Sequence, residues 1–206
     1  MDGTTLVDTL TDDLETELSR LGSSKWLYAL TDGEMSGDTV RAAAVADAVA
    51  VADRYEAWAG DSDDADAAAL FAALATEAED RLATIDADAD AAATERETHA
   101  ALADLDDTVE RVGGALGHSL VLDRTAGQMV GFFVGDADPT TANTFRDVRD
   151  GIDDARDRIV DTLDEICASD DDWSRARTAA EEVIEAAYDD YVETLESMGV
   201  KPKNVC

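Results

Sequence analysis

Lysine is nearly missing from this chain, with three residues (Lys25, Lys201 and Lys203) beside thirteen arginines, and 206 residues hold only two prolines and two cysteines. The cysteines, Cys167 and Cys206, lie far apart and make no disulfide framework. With 45% hydrophobic residues and so little proline, a packed core is expected and disorder of the whole chain is not. No uncharged apolar run reaches the ~18 residues that would cross a bilayer. The first twenty residues carry six acids where a signal peptide would carry an apolar core. The chain is therefore expected in the cytoplasm and away from membranes. Three chemical signatures are also missing: a glycine-rich phosphate loop opening a helix, a serine in a nucleophile elbow, and any Glu-x-x-His.

Acid is what the chain has in excess. Thirty-four aspartates and fifteen glutamates give a formal net charge of −33. Such a charge repels itself in dilute buffer, and molar salt shortens the Debye length to ~3 Å and screens it. The acid is spread over the whole sequence, so it reads as the solvated surface of a halophile's protein before it reads as a docking face for one basic partner. It argues against nucleic acid and against anionic membranes as partners.

One stretch escapes the acid. In Val109–Gly135, Glu110 and Asp123 are balanced by Arg111 and Arg124, and six glycines and His118 fall within it. A neutral stretch of this length predicts the central helix of an all-α protein. Around it, leucines at i+3 and i+4 predict a first helix to about Leu21, with Thr4 or Thr5 as its cap. Further helices are predicted over Lys25–Leu30, Thr39–Trp58, Ala67–Ile85, His99–Leu105 (one or two turns), Asp138–Ala168 and Trp173–Met198. Ser36-Gly37-Asp38, Asp138-Pro139 and Ser169–Asp172 supply start signals, and Gly199 and Pro202 supply stops. Asp86–Ala93 reads as an Ala/Asp linker. The expectation is one antiparallel helical-bundle domain over 1–206: N-terminal helices (1–35), a hairpin (38–85), three long helices (106–198) and a tail (199–206).

Ala46–Trp58 followed by Leu70–Leu82 resembles the first helical hairpin of the rubrerythrin branch of the ferritin-like superfamily, with Arg54-Tyr55 and Phe71 carrying the likeness. The landmarks Ser23–Met35, Gly127–Pro139 and Ser197–Cys206 are similar to an uncharacterised group of halophilic-archaeal proteins described as rubrerythrin-like. The resemblance implies a ferritin-like bundle with an additional N-terminal helix. It implies a carboxylate-rich iron or manganese site whose ligands have largely been replaced, with Ala48 and Ala78 beside ligand positions. Asp47, Glu77, Asp80 and His118 are what remains for such a site, and no cofactor is the first expectation.

Three further features complete the reading. Gly113 and Gly117, and Gly127, Gly131 and Gly135, fall at i+4 spacing and predict close helix packing or a homodimer seam. A sharper reading of the second set is a groove rimmed by Gln128, Met129, Phe132 and Phe133. Cys206, beside Lys201 and Lys203, is a possible reactive thiol. His118 reads as a hydrogen-bonded core histidine, and His99, among acids, as exposed. The leading functional expectation is a bundle acting by contact with a protein partner of unknown identity. The alternatives are a ferritin-like oxidoreductase or iron-handling protein, and a binder of small apolar ligands.

Overall fold

A computed structural model describes residues 1–85 and 96–202, and the regular structure among these residues is all α-helical, with no strand. The helices are α1 (Gly3–Asp13), α2 (Glu15–Leu21), α3 (Ser24–Leu30), α4 (Gly37–Asp61), α5 (Ala65–Ile85), α6 (Glu97–Ala103), α7 (Thr108–Gly135), α8 (Pro139–Ile166) and α9 (Asp170–Ser197). The predicted linker Asp86–Ala93 and Cys206 lie outside the described residues.

The centre is α7, which packs along both α8 and α9. Its residues 112–121 are buried without a break, as a helix apolar on every side must be. Asp107 caps it, accepting from Glu110 N at 3.0 Å, and Glu110 closes a capping box back onto Asp107. A short turn leads to Asp138, which caps α8 by accepting from Thr141 N at 3.0 Å, with Pro139 in the first turn. Ser169 caps α9 with Asp172 as its box partner. Short turns between successive long helices make them antiparallel neighbours. Helices α4 and α5 form a second pair, and α5 docks that pair on α8.

The N-terminal region departs from the single helix expected. Asp2, not Thr4 or Thr5, is the cap, and the helix breaks at Leu14 before resuming as α2. The break lets Leu6 and Leu10 and then Leu18 and Leu21 all reach full burial while the path bends around the core. Gly199 ends α9 at φ +74°, the left-handed conformation expected of a C′ glycine.

Two of the glycines on α7 hold the bundle together by having no side chain. A Cβ at Gly113 would lie 2.7 Å from Ala176 Cα, and one at Gly117 would lie 2.5 Å from Ala180 O. The backbones of α7 and α9 therefore touch at paired small residues. Gly131 and Gly135 face open space instead, so among the described residues these two make no helix contact, and Gly127 meets only the guanidinium of Arg149 on α8. Of the large apolar side chains, Met1, Met35 and Val134 are the exposed ones among the described residues.

The apolar interior is divided. One cluster gathers residues from α1 through α9 around Tyr55, Phe71, Leu116 and Tyr191. A smaller one joins Leu27, Val40, Ile85, Met129, Phe133 and Phe145. Helix α4 makes few contacts with α7, and the region between them is where the interior is not filled.

Candidate functional site

A cavity of about 330 Å³ occupies that region and takes walls from both apolar clusters. Helix α4 contributes Ala42, Ala43, Ala44 and Ala46, and these small side chains are what leaves the space. Met129, Phe145 and Val148 form much of the opposite wall. Such a volume is at the lower end of what small-molecule sites have (~300–1,000 Å³).

At one end lies Asp47. His118 from α7 and His99 from α6 each place Nε2 3.1 Å from its Oδ1. Tyr55, two turns after Asp47 on α4, places its hydroxyl 3.2 Å from His118 Nδ1. The roles follow from the donors. An ionised carboxylate only accepts, so each Nε2 carries a hydrogen. When His118 is neutral, Nδ1 accepts and the Tyr55 O–H donates. Burial pushes the Tyr55 hydroxyl well above its ordinary value, so it keeps the proton it donates. Burial alone would raise the Asp47 carboxyl as well. The positive charge that His118 carries when protonated, together with the hydrogen bonds from His118 and His99, outweighs burial and holds it well below the usual carboxylate range.

The cluster is not saturated. Asp47 Oδ2 and His99 Nδ1 are both buried and have no hydrogen-bond partner among the described residues. An unmet buried acceptor costs ~1–3 kcal/mol. Asp47 still has 24% of its side-chain surface exposed and lines the cavity, while His118 is 4% and His99 12% exposed.

Arg96 fixes the approach to α6. It donates to Asp190 Oδ2 at 3.0 Å and to Leu30 O at 3.1 Å, and its guanidinium lies 6.0 Å over the Trp26 ring. Trp26 in turn donates to Thr125 Oγ1 at 2.9 Å. Helices α3, α6, α7 and α9 are thereby tied together around one side of the cavity.

The four residues expected as a metal set do not converge. Asp47 and His118 meet as described. Glu77 is ion-paired with Arg158, and Glu77 and Asp80 line a separate shallow cavity with Asp147. Ala48 and Ala78 are fully buried where a ferritin-like site would want inward ligands. Among the described residues, no group of three or more His, Cys, Asp and Glu side chains is placed to hold a metal ion. The two imidazoles have committed their Nε2 atoms to one carboxylate oxygen. A di-iron centre needs about six ligands from four helices, and this donor set does not fit it.

The expected groove is likewise dispersed. Met129 lines the cavity, but Gln128 turns away to donate to Gly22 O at 2.6 Å. Phe133 stacks on Phe145 with ring centres 5.4 Å apart, and Phe132 packs edge-on against Phe133. Cys167 ends α8 instead of lying within it, and burial pushes its thiol up to about 11, which leaves it unreactive.

His99 is the residue whose role the sequence did not predict. It is not exposed but turned inward. The usable signal was local: Leu102, three residues on, shares its helix face and is 1% exposed. The flanking Glu95 and Glu97 obscured it.

No family model, curated protein or solved structure matches the chain. Among the described residues, no helix is long and apolar enough to cross a membrane.

The hydrogen-bond chain makes one direct prediction. Tyr55→Phe keeps the ring against Trp58 and Phe71 but removes the donor to His118 Nδ1. The expected cost is about 1 kcal/mol, read as a shift in the urea midpoint, in molar KCl, without a change in slope. A variant as stable as the parent would show that this bond is not formed in solution.

Proposed function

We propose that the protein is a small-molecule binder, its site the cavity between α4 and α7. The observation that carries this is the combination of apolar walls with a single polar end, where Asp47, His99 and His118 meet and leave two buried atoms unpartnered. Ligand sites have this composition: mostly apolar, with a few convergent polar groups that set orientation. Of the residues expected to rim a groove, Gln128, Met129, Phe132 and Phe133, only Met129 lines this cavity. Contact with a protein partner is less well supported, because among the described residues few large apolar side chains are left on the surface. The Arg54-Tyr55 and Phe71 pattern of the α4–α5 hairpin is compatible with descent from a ferritin-like scaffold whose ligand positions have become Ala48 and Ala78.

Filling the cavity tests it. Ala43 lines the space and packs against the smaller apolar cluster. Ala43→Leu is expected to raise the stability of the ligand-free protein by about 1 kcal/mol, as cavity filling commonly does. The same change should abolish retention of small organic molecules when the protein is purified in molar KCl and its extract is analysed by mass spectrometry. Parent and variant carrying the same molecules in equal amount, or carrying none while no compound from a fragment library raises the parent's melting temperature, would refute the proposal.

A further inference from the structure

The polar end of the cavity also states what kind of head group it takes. We infer that the ligand is a small primary amine, its apolar body between the alanines of α4 and the Met129–Phe145 wall and its ammonium at Asp47. This rests on the cavity being a ligand site and adds the chemical class to it.

The donors and acceptors decide the sign. Asp47 Oδ2 is an acceptor, and so is Nδ1 of His99 in its neutral form, whose Nε2–H goes to Asp47 Oδ1. Both ask for hydrogens. An alcohol brings one, whereas an ammonium brings three and can meet both atoms at once. A bond from a charged donor to a carboxylate is also roughly twice as strong as a neutral one. Neither atom is open to solvent as the side chains stand, so the head group engages after a small rotation of Asp47 or His99.

The surrounding charge agrees. Asp32 and Glu34, from the turn between α3 and α4, line the same cavity, giving three carboxylates with Asp47. Arg96 lines it too, but its guanidinium is engaged by Asp190 and the Leu30 carbonyl. Among the described residues that line it, Arg81 is the other arginine, and it also borders the shallow cavity that holds Glu77, Asp80 and Asp147. A carboxylate head would have to sit against ionised Asp47, at a repulsion that one arginine shared between two cavities does not offset. The net charge of −33 favours the approach of a cation from any side.

Pentylamine, pentanol and pentanoate share a body and differ in the head, so they separate the possibilities. Titration calorimetry of the full chain at neutral pH in molar KCl screens attraction to the acidic surface. Pentylamine is expected to bind roughly tenfold or more tighter than pentanol, as a charge-assisted bond implies, and pentanoate should bind more weakly than either. Asp47→Asn, which puts an amide donor in place of one acceptor oxygen at nearly unchanged shape, should bring the amine down to the level of the alcohol. Ala43→Leu should remove binding of both while leaving the surface charge intact. Equal affinity for amine and alcohol, or tighter binding of pentanoate, overturns the amine assignment and leaves the cavity as a ligand site. Pentylamine binding that survives Ala43→Leu also overturns it, because the amine would then be held at the acidic surface. No binding of any of the three overturns the amine assignment by itself, and a fragment screen of the parent then shows whether the cavity reading falls with it.

Discussion

Gly113→Ala is expected to lower stability by about 3 kcal/mol, and so the melting temperature by roughly 6–12 °C for a chain of this size. The new methyl would stand 2.7 Å from Ala176 Cα, where carbon atoms ordinarily sit at roughly 3.5–4.0 Å. Backbone cannot rotate out of the way, so α9 must move by about 1 Å, which forfeits a quarter to a half of the dispersion energy of each contact it loosens. The better helix propensity of alanine returns at most about 1 kcal/mol. Gly117→Ala meets Ala180 in the same way one turn later. The double variant should cost less than the sum, because one displacement of α9 relieves both. Gly131→Ala is the control: nothing lies near its Cβ, and it should stabilise by about 0.5–1 kcal/mol through propensity alone. Thermal melts of the four proteins in molar KCl would read this. A Gly113→Ala protein as stable as the parent would mean that α7 and α9 do not cross this closely.

That contrast marks how far the sequence could be read. The neutral charge of the α7 stretch was visible, and its burial follows from it. The start signals at Ser36–Asp38, Asp138 and Ser169–Asp172 were visible, because a capping residue acts on donors two or three positions away, although Ser36 itself is the cap and α4 starts at Gly37, two residues before the expected Thr39. The i+4 glycines were visible as small residues, but only the partner helix distinguishes Gly113 and Gly117, which meet α9, from Gly131 and Gly135, which meet nothing. The cavity was not legible for the same reason. Ala42, Ala43, Ala44 and Ala46 look like helix-forming residues, and whether they leave a space depends on how far α4 stands from α7. The resemblance drew Glu77 and Asp80 toward Asp47, but their helix presents them to Arg158 and to another cavity. His99 joined Asp47 across fifty-two residues, a distance no local pattern reports.

The other large effect belongs to Asp47. Asp47→Ala strands the Nε2–H donors of His118 and His99, one at 4% and one at 12% side-chain exposure. Two unmet donors against the relief of one desolvated carboxylate put the cost at about 3 kcal/mol. Asp47→Asn retains one acceptor oxygen and should cost about 1 kcal/mol. The pH dependence has a definite sign. The Asp47 carboxyl is held below its usual range in the folded state, by the histidines and against burial, so between its folded value and the ordinary ~3.9 of the unfolded chain only the unfolded state binds the proton. Stability from this group is therefore complete above about pH 4 and is lost as the pH falls through the folded value. Many other carboxylates also titrate there, but they are shared by parent and variant and cancel in the difference. The stability gap between parent and Asp47→Ala, measured by urea unfolding in molar KCl, should close as the pH falls below about 4. A gap that stays constant through the acid range would show that Asp47 gains nothing from His99 and His118. The polar end of the cavity would then be three neighbouring side chains, not one bonded unit.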